Sequence, residues 1–226
     1  MSEPRGDERF YGRLFDFDAV RALQRAPRRA MFDYFMRELR PTATETVLDL
    51  GATSLTEPLE NMFELYYPRP ERVTAAGVED CSFLEARHPG LKFARLEAGK
   101  PLPFPDDAFD VGFCSAVIEH AGSREEQARF LAELIRVTRR CFVTTPNRWY
   151  PVELHTRLPL LHWLPPPLFR AAIAGLGFGF YAKEENLNLL TASELRGLLP
   201  SGLKRASLAR QRFLGLPSNL LLVVEK

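Results

Sequence analysis

The sequence is short of cysteine, of charge excess and of long hydrophobic runs, and each shortage excludes something. Its three cysteines, Cys81, Cys114 and Cys141, are scattered without metal-like spacing, and two lie in apolar runs. Buried thiols in a reducing cytoplasm are therefore expected, not a disulfide framework. Lys plus Arg total 30 against 29 Asp plus Glu, a net charge of +1. That balance lacks the broad basic footprint of a dedicated nucleic-acid binder. The longest apolar stretch, Ala171 to Ala182, is interrupted by three glycines and falls far short of the ~20 residues of a membrane span. The N-terminus, MSEPRGDERF, is charged throughout and has no apolar core, so no secretory signal is expected.

What remains is an ordinary globular composition, 46% hydrophobic and 26% charged over 226 residues, which suits a single domain. Met31, Phe35 and Leu39, with Phe32 beside them, recur at helical spacing, and Pro27 is expected to divide this region into two helices. Arg28, Arg29, Arg37 and Arg40 fall on the solvent side of that pattern. Val47-Leu48-Asp49-Leu50 reads as a buried strand closed by Gly51. Thr56 is placed to cap the next helix, with Pro58 in its first turn and Met62, Phe63, Leu65 and Tyr66 as its apolar contacts. Further strands are expected at Val73 to Val78, Leu91 to Leu96, Asp110 to Val117 and Cys141 to Thr145, with a brief helix at Ser82 to Arg87. Ser123-Arg124-Glu125-Glu126 is a capping box opening a helix whose buried stripe is Ala128, Leu131, Leu134 and Ile135. Strands alternating with helices and no hairpin signal imply a parallel sheet covered on both faces.

From Pro146 to Asn188 six prolines mix with Trp149, Tyr150, Trp163 and Phe169, which reads as a lid, a substrate-binding insertion or a docking surface. Thr191-Ala192-Ser193-Glu194 caps another helix, and the chain ends in two strands, Arg205 to Phe213 and Asn219 to Val224, as an antiparallel pair. The division is N-terminal helices at 1–43, a cofactor-binding core at 44–146, the aromatic insertion at 147–190, and a final helix with the strand pair at 191–226.

In a doubly wound sheet, ligands bind beyond the C-terminal strand ends where strand order reverses. Polar groups stand at four such ends: Asp49-Leu50-Gly51, Glu79-Asp80, Glu97, and Ser115 to His120. A carboxylate after the second strand can accept two hydrogen bonds from a ribose diol. Taken together and in this order, the four ends point to a nucleoside cofactor.

VLDLG, RVTAAGVED, LEAGKPLPFPDDAFDVGFCSAVIEH and RCFVTTPNR, read as a series, resemble the class I S-adenosylmethionine-dependent methyltransferases, from about Thr44 through Lys226. The LPFPDDAFD segment and the EH pair are similar to the small-molecule branch of that family. The resemblance implies a Rossmann-like, doubly wound α/β sheet of seven strands in the order 3-2-1-4-5-7-6, with strand 7 antiparallel and helices on both faces. It implies S-adenosylmethionine as cofactor, with Asp49 and Gly51 near its methionine part and Glu79, with Asp80 next in line, on the ribose. Glu97 and Ala98 would lie near the adenine and Ser115 near the sulfonium.

One departure stands out. The family carries a turn close to D-x-G-x-G-x-G, but this chain reads Asp49-Leu50-Gly51-Ala52-Thr53-Ser54-Leu55, keeping only the first glycine, with Glu57 and Glu60 following. The G-x-G-x-x-G of a dinucleotide dehydrogenase is absent. Ser115-Ala116-Val117-Ile118 replaces the Asn/Asp-Pro-Pro-aromatic segment of many amino methylases, which disfavours that chemistry.

A base is needed only if the acceptor is a poorly acidic hydroxyl. His155 and His120 are the candidates. His88, in a Pro-Gly turn, reads as solvent-facing, and His162, beside Leu160, Leu161 and Trp163, reads as a packed residue. No metal-ligand spacing and no serine or cysteine triad is legible, so no metal is expected. The expectation is methyl transfer to a small-molecule or lipid-like acceptor at oxygen, with Trp149, Tyr150, His155, Trp163 and Phe169 as acceptor contacts. The alternatives are a non-catalytic scaffold with a decayed cofactor motif and a membrane-surface or protein partner docking through residues 158–169.

Overall fold

The computed structural model describes residues 18–56 and 60–226, with side chains in the first helix from residue 25 onward. Glu57 and Pro58, assigned to a helix start from sequence, lie outside the described residues.

Seven strands form one sheet: β1 (Val47–Leu50), β2 (Val73–Gly77), β3 (Lys92–Arg95), β4 (Phe109–Ser115), β5 (Thr138–Pro146), β6 (Arg205–Phe213) and β7 (Leu216–Glu225). Their order is β3-β2-β1-β4-β5-β7-β6, with β7 antiparallel to both β5 and β6 and the remaining pairs parallel. This is the topology expected, and strand order reverses between β1 and β4. Strand ends differ from expectation by one to three residues: β5 and β7 go on pairing beyond their apolar stretch, whereas β2, β3 and β4 stop pairing one or two residues before theirs ends.

Each face buries its own cluster. On one, Phe32, Phe35, Phe63, Phe113 and Phe142 pack ring against ring, Phe63 and Phe113 with centroids 4.6 Å apart. On the other, Leu48, Leu50, Ile118, Leu131, Leu134, Leu220 and Leu222 meet. Alternate strand residues supply the two faces because side chains alternate across a strand.

The first face is covered by α1 (Asp18–Leu39), a single helix that runs through Pro27. The expected break there does not occur. Proline removes one helical hydrogen bond at a cost of ~3 kcal/mol. The burial of Met31, Phe32, Phe35 and Leu39 just beyond it outweighs that cost. Gln211 of β6 also donates to the Pro27 carbonyl at 2.8 Å.

A second correction concerns the helix placed after Thr56. The helical turn α2 (Met62–Tyr66) begins later, and Asn61, not Thr56, precedes it. The brief helix α3 (Phe83–Arg87) follows β2. On the opposite face α4 (Arg124–Val137) has its capping box formed, with Ser123 and Glu126 each bonding the other's backbone N–H. The same device opens α6 (Ala192–Gly197) at Thr191 and Glu194.

The segment between β5 and α6 folds around α5 (Pro166–Gly175) and a small cluster of its own, Phe169, Ile173, Tyr181, Leu187 and Leu189. It is tied to the strand ends by Asn188, whose N–H donates to the Glu119 carbonyl at 2.8 Å. Among the described residues no helix is long and apolar enough to cross a membrane.

Candidate active site

The chain leaves β1 through Gly51, whose N–H and that of Ala52 both donate to the Ala76 carbonyl, at 2.8 and 3.1 Å. Gly51 has φ +119°, and a Cβ there would collide with the Val117 side chain. Gly77, at the end of β2, lies so close to the Ala52 carbonyl that it too excludes a Cβ. The cofactor turn therefore threads between β2 and the segment after β4. Its second required glycine sits on the neighbouring strand, outside the D-x-G-x-G-x-G frame where sequence reading looks for it.

The rest of the turn is held by side chains. Asn61 accepts from the Thr53 N–H at 3.0 Å and donates to the carbonyls of Thr53 and Leu55 at 2.9 and 3.1 Å. Asn61 was not singled out from the sequence; its one signal was a buried amide beside an apolar run. Glu79 accepts from both the N–H and the hydroxyl of Ser54. The acid expected at the ribose thus already faces the turn. Leu55 is exposed and does not fill the space beneath the turn.

Behind Gly51, Asp49 is buried and faces Glu64 of α2, itself buried, with both Glu64 oxygens lacking a hydrogen-bond donor. Burial first, and the neighbouring Glu64 second, hold the Asp49 carboxyl well above the usual carboxylate range. A proton is therefore kept on Asp49 to higher pH than on an exposed carboxylate. Glu64 too escaped the sequence reading, because a glutamate amid Met62, Phe63 and Leu65 reads as the polar side of a helix.

Other expected residues sit differently. Asp80 accepts from the Ser82 N–H at 3.0 Å, and that bond lowers its pKa; it braces the start of α3. Glu97 and Ala98 are exposed beyond β3. The Ser115 hydroxyl pairs with that of Thr144 on β5 at 2.9 Å. Next, Ala116 turns the chain with φ +56°, a strained value for a residue with a side chain, and leads into a single 3-10 turn, Ile118–His120.

His120 and His155 come together. Their ring centroids lie 4.8 Å apart, edge to face. His120 Nδ1 is 2.6 Å from the Asn186 carbonyl and His155 Nδ1 is 2.7 Å from Glu153 Oε1. Glu153 is buried and receives four hydrogen bonds, two from His155 and two from Thr156. Burial pushes its pKa up, but the His155 charge and these bonds prevail and bring it to about 2. Glu119 completes the group: it is fully buried, Oε2 accepts from Thr145 at 2.9 Å, and Oε1 has no donor. Coordinating atoms of Glu119, His120 and His155 all lie within 4.8 Å of one another. The members of this group come from two segments that only the fold unites, so no ligand spacing along the chain indicates it.

The other two histidines stand apart. His88 is half-buried at the end of α3, not fully solvent-facing. His162 is buried, its Nε2 2.7 Å from the Tyr150 carbonyl, and burial lowers its pKa. Of the aromatics assigned to the acceptor, Phe169 packs in the insertion's own cluster and Tyr150 against Phe213. Trp149 and Trp163 are exposed and touch edge to face at 6.2 Å.

Residues 71–141 match the family model described as a methyltransferase domain. No curated protein matches the chain in sequence. Among solved structures, an S-adenosylmethionine-dependent methyltransferase from Mesorhizobium loti aligns with TM-score 0.60 and 16% identity, covering 90% of this chain and 100% of that one. Magnesium protoporphyrin IX methyltransferase from Synechocystis, with bound S-adenosylhomocysteine, aligns with TM-score 0.50 and 15% identity over 97% and 92% of the two chains. The CurJ carbon methyltransferase aligns with TM-score 0.57 and 12% identity over 92% of this chain, which spans 58% of that longer one. At these identities the likenesses establish the fold. The matched segment, residues 71–141, thus resembles a methyltransferase domain, on a fold that S-adenosylmethionine-dependent methyltransferases share.

Proposed function

We propose that the protein binds S-adenosylmethionine and transfers a methyl group to an oxygen of a small-molecule or lipid-like acceptor. The observation that carries this reading is the Glu153–His155 pair beside His120, on the segments that follow β5 and β4. A buried carboxylate that stays ionised and holds an imidazole by Nδ1 is the arrangement that orients a general base.

The residues present fit the cofactor. Gly51 and Gly77 keep the turn free of side chains at its closest passages. The orphaned Glu64 oxygens beside Asp49 suit the ammonium of a methionine moiety, and Glu79 suits a ribose diol once Ser54 yields it. Asp80, Glu97, Ala98 and Ser115 border the same strand ends. The bound cofactor supplies an electrophilic methyl carbon on sulfur. The protein's part is to align the acceptor oxygen in line with the carbon–sulfur bond, exclude water, and receive the hydroxyl proton at His155.

Oxygen is favoured over an amino acceptor because Ser115-Ala116-Val117-Ile118 offers no amide and proline pair after β4. Exposed Leu160, Trp163, Leu164 and Leu168 on the insertion support docking at a membrane surface or on a partner protein, as a route for a lipid-like acceptor. The three cysteines are free and buried, which supports a cytoplasmic setting. The test is calorimetric titration with S-adenosylmethionine and S-adenosylhomocysteine. Saturable one-to-one binding of both is expected; binding of neither at millimolar concentration replaces the enzyme with a scaffold that keeps the fold.

A further inference from the structure

We propose that Glu119, His120 and His155 form a binding site for one divalent transition-metal ion of the zinc class. The inference deepens the methyl-transfer reading, on which it rests only for what the ion would act upon.

Three observations converge. First, Glu119 is a fully buried carboxylate whose single side-chain hydrogen bond, from Thr145, leaves Oε1 without a donor. An ionised oxygen in such a place is costly unless a cation or donor faces it. Second, one coordinating atom from each of Glu119, His120 and His155 lies within 4.8 Å of the other two, a spread that a single ion can bridge. Third, each ring is fixed by its Nδ1, His120 against the Asn186 carbonyl and His155 against the Glu153 carboxylate. Second partners of this kind hold metal-ligating histidines in one orientation and tautomer.

Two imidazoles and one carboxylate select zinc, cobalt, iron or nickel over magnesium or calcium, which prefer all-oxygen sites. In a tetrahedral zinc centre ligand atoms lie about 3.4 Å apart, so a spread of at most 4.8 Å needs only a small side-chain adjustment on loading. His120 is exposed and on a one-turn element, and can make that adjustment. An acceptor with two neighbouring oxygens, such as a catechol or a hydroxy acid, would chelate a cation held there. In that loaded form the cation's field would lower the acceptor hydroxyl's pKa and the proton would pass to bulk water, with His155 serving as ligand; the base role of His155 belongs to the ion-free protein.

The experiment uses the full chain after chelator treatment. Zn²⁺ is titrated calorimetrically, Co²⁺ is added for its visible absorption, and Mg²⁺ serves as the comparison ion. One equivalent of Zn²⁺ should bind, Co²⁺ should give the intense bands of a low-coordinate nitrogen site, and Mg²⁺ should not compete. His120→Ala and His155→Ala should each weaken Zn²⁺ by at least about tenfold, and Glu153→Gln, which removes only the outer partner, by about 10–100-fold. His120 is exposed, so its variant keeps the test informative if a change at buried Glu119 unfolds the chain. Equal Zn²⁺ uptake by wild type and the His120→Ala/His155→Ala double variant overturns the proposal, as does Co²⁺ with only its pale hexa-aqua spectrum. S-adenosylhomocysteine binding by the chelated protein is read separately: its loss would remove the cofactor reading and leave the metal result standing.

Discussion

At the scale of single residues, the proposed site rests on a few side chains. Glu79 is one. Glu79→Ala leaves the cofactor diol without a charged acceptor and also releases Ser54 from its tether. Charge-assisted hydrogen bonds contribute ~1.5–3 kcal/mol, so the dissociation constant for S-adenosylhomocysteine should rise by roughly one to two orders of magnitude. An unchanged constant in a folded variant would transfer the role to Asp80. His155 is another. His155→Ala should lower turnover by roughly 10²–10⁴-fold while leaving cofactor affinity nearly unchanged, measured by steady-state kinetics on an identified acceptor. If stability falls and turnover at saturation is kept, the residue is structural. Such roles were partly legible. Asp49, Gly51, Glu79 and His155 announce themselves as polar groups at strand ends, whereas Asn61 and Glu64 do not. A buried amide and a buried acid inside an apolar helix look like surface residues until the loop they face is seen.

At the scale of elements, local signals that bond within themselves were the ones the sequence displayed fully. The capping boxes at Ser123 and Thr191 each need only four consecutive residues, and both form. Ser123→Ala removes one half of its box and should cost about 1 kcal/mol. For a chain of this size that lowers the melting temperature by about 2–4 °C, measurable by calorimetric scanning. Signals overridden by distant packing misled. Pro27 is a helix breaker by its own chemistry, yet α1 continues because its next turns are pressed onto the aromatic face of the sheet. The histidine cluster was illegible for the converse reason: nothing in either segment alone indicates that β4's exit and the insertion meet.

At the scale of the whole molecule, the sheet is fastened at its opposite end as well as at its site. Asp110, at the start of β4, accepts from the N–H and hydroxyl of Thr46, both at 3.0 Å, just before β1. The Thr46 N–H bond is the main reason its carboxyl lies below the ordinary range; burial opposes it as the second influence, and the Thr46 hydroxyl, Arg139 and Arg140 add to the lowering. A carboxylate with a depressed folded pKa stabilises the fold above its unfolded value, near pH ~3.9, and loses that contribution as pH falls through the folded value. Acid unfolding should therefore be less steep in Asp110→Asn between about pH 4 and pH 2, with lower stability at neutral pH. Equal slopes for variant and wild type in denaturant melts across that range would assign the acid sensitivity elsewhere. The topology itself was the most legible property of all, because alternating apolar strands and capped helices admit few arrangements and one handedness of crossover.

The raised Asp49 carboxyl would make capture of the proposed cofactor a proton-exchange reaction. A positive group brought beside Asp49 favours its charged form, and the displaced proton passes to the buffer. Heats of binding should then vary with the buffer's ionisation enthalpy, the slope giving the protons released per cofactor, and affinity should strengthen as pH rises through the titration of Asp49. Asp49→Asn should flatten that slope to zero. The turn after β1 would then act as a chemical sensor of the ligand's ammonium as well as its cradle, distinguishing an amino-acid-bearing nucleoside from a plain one by whether a proton leaves.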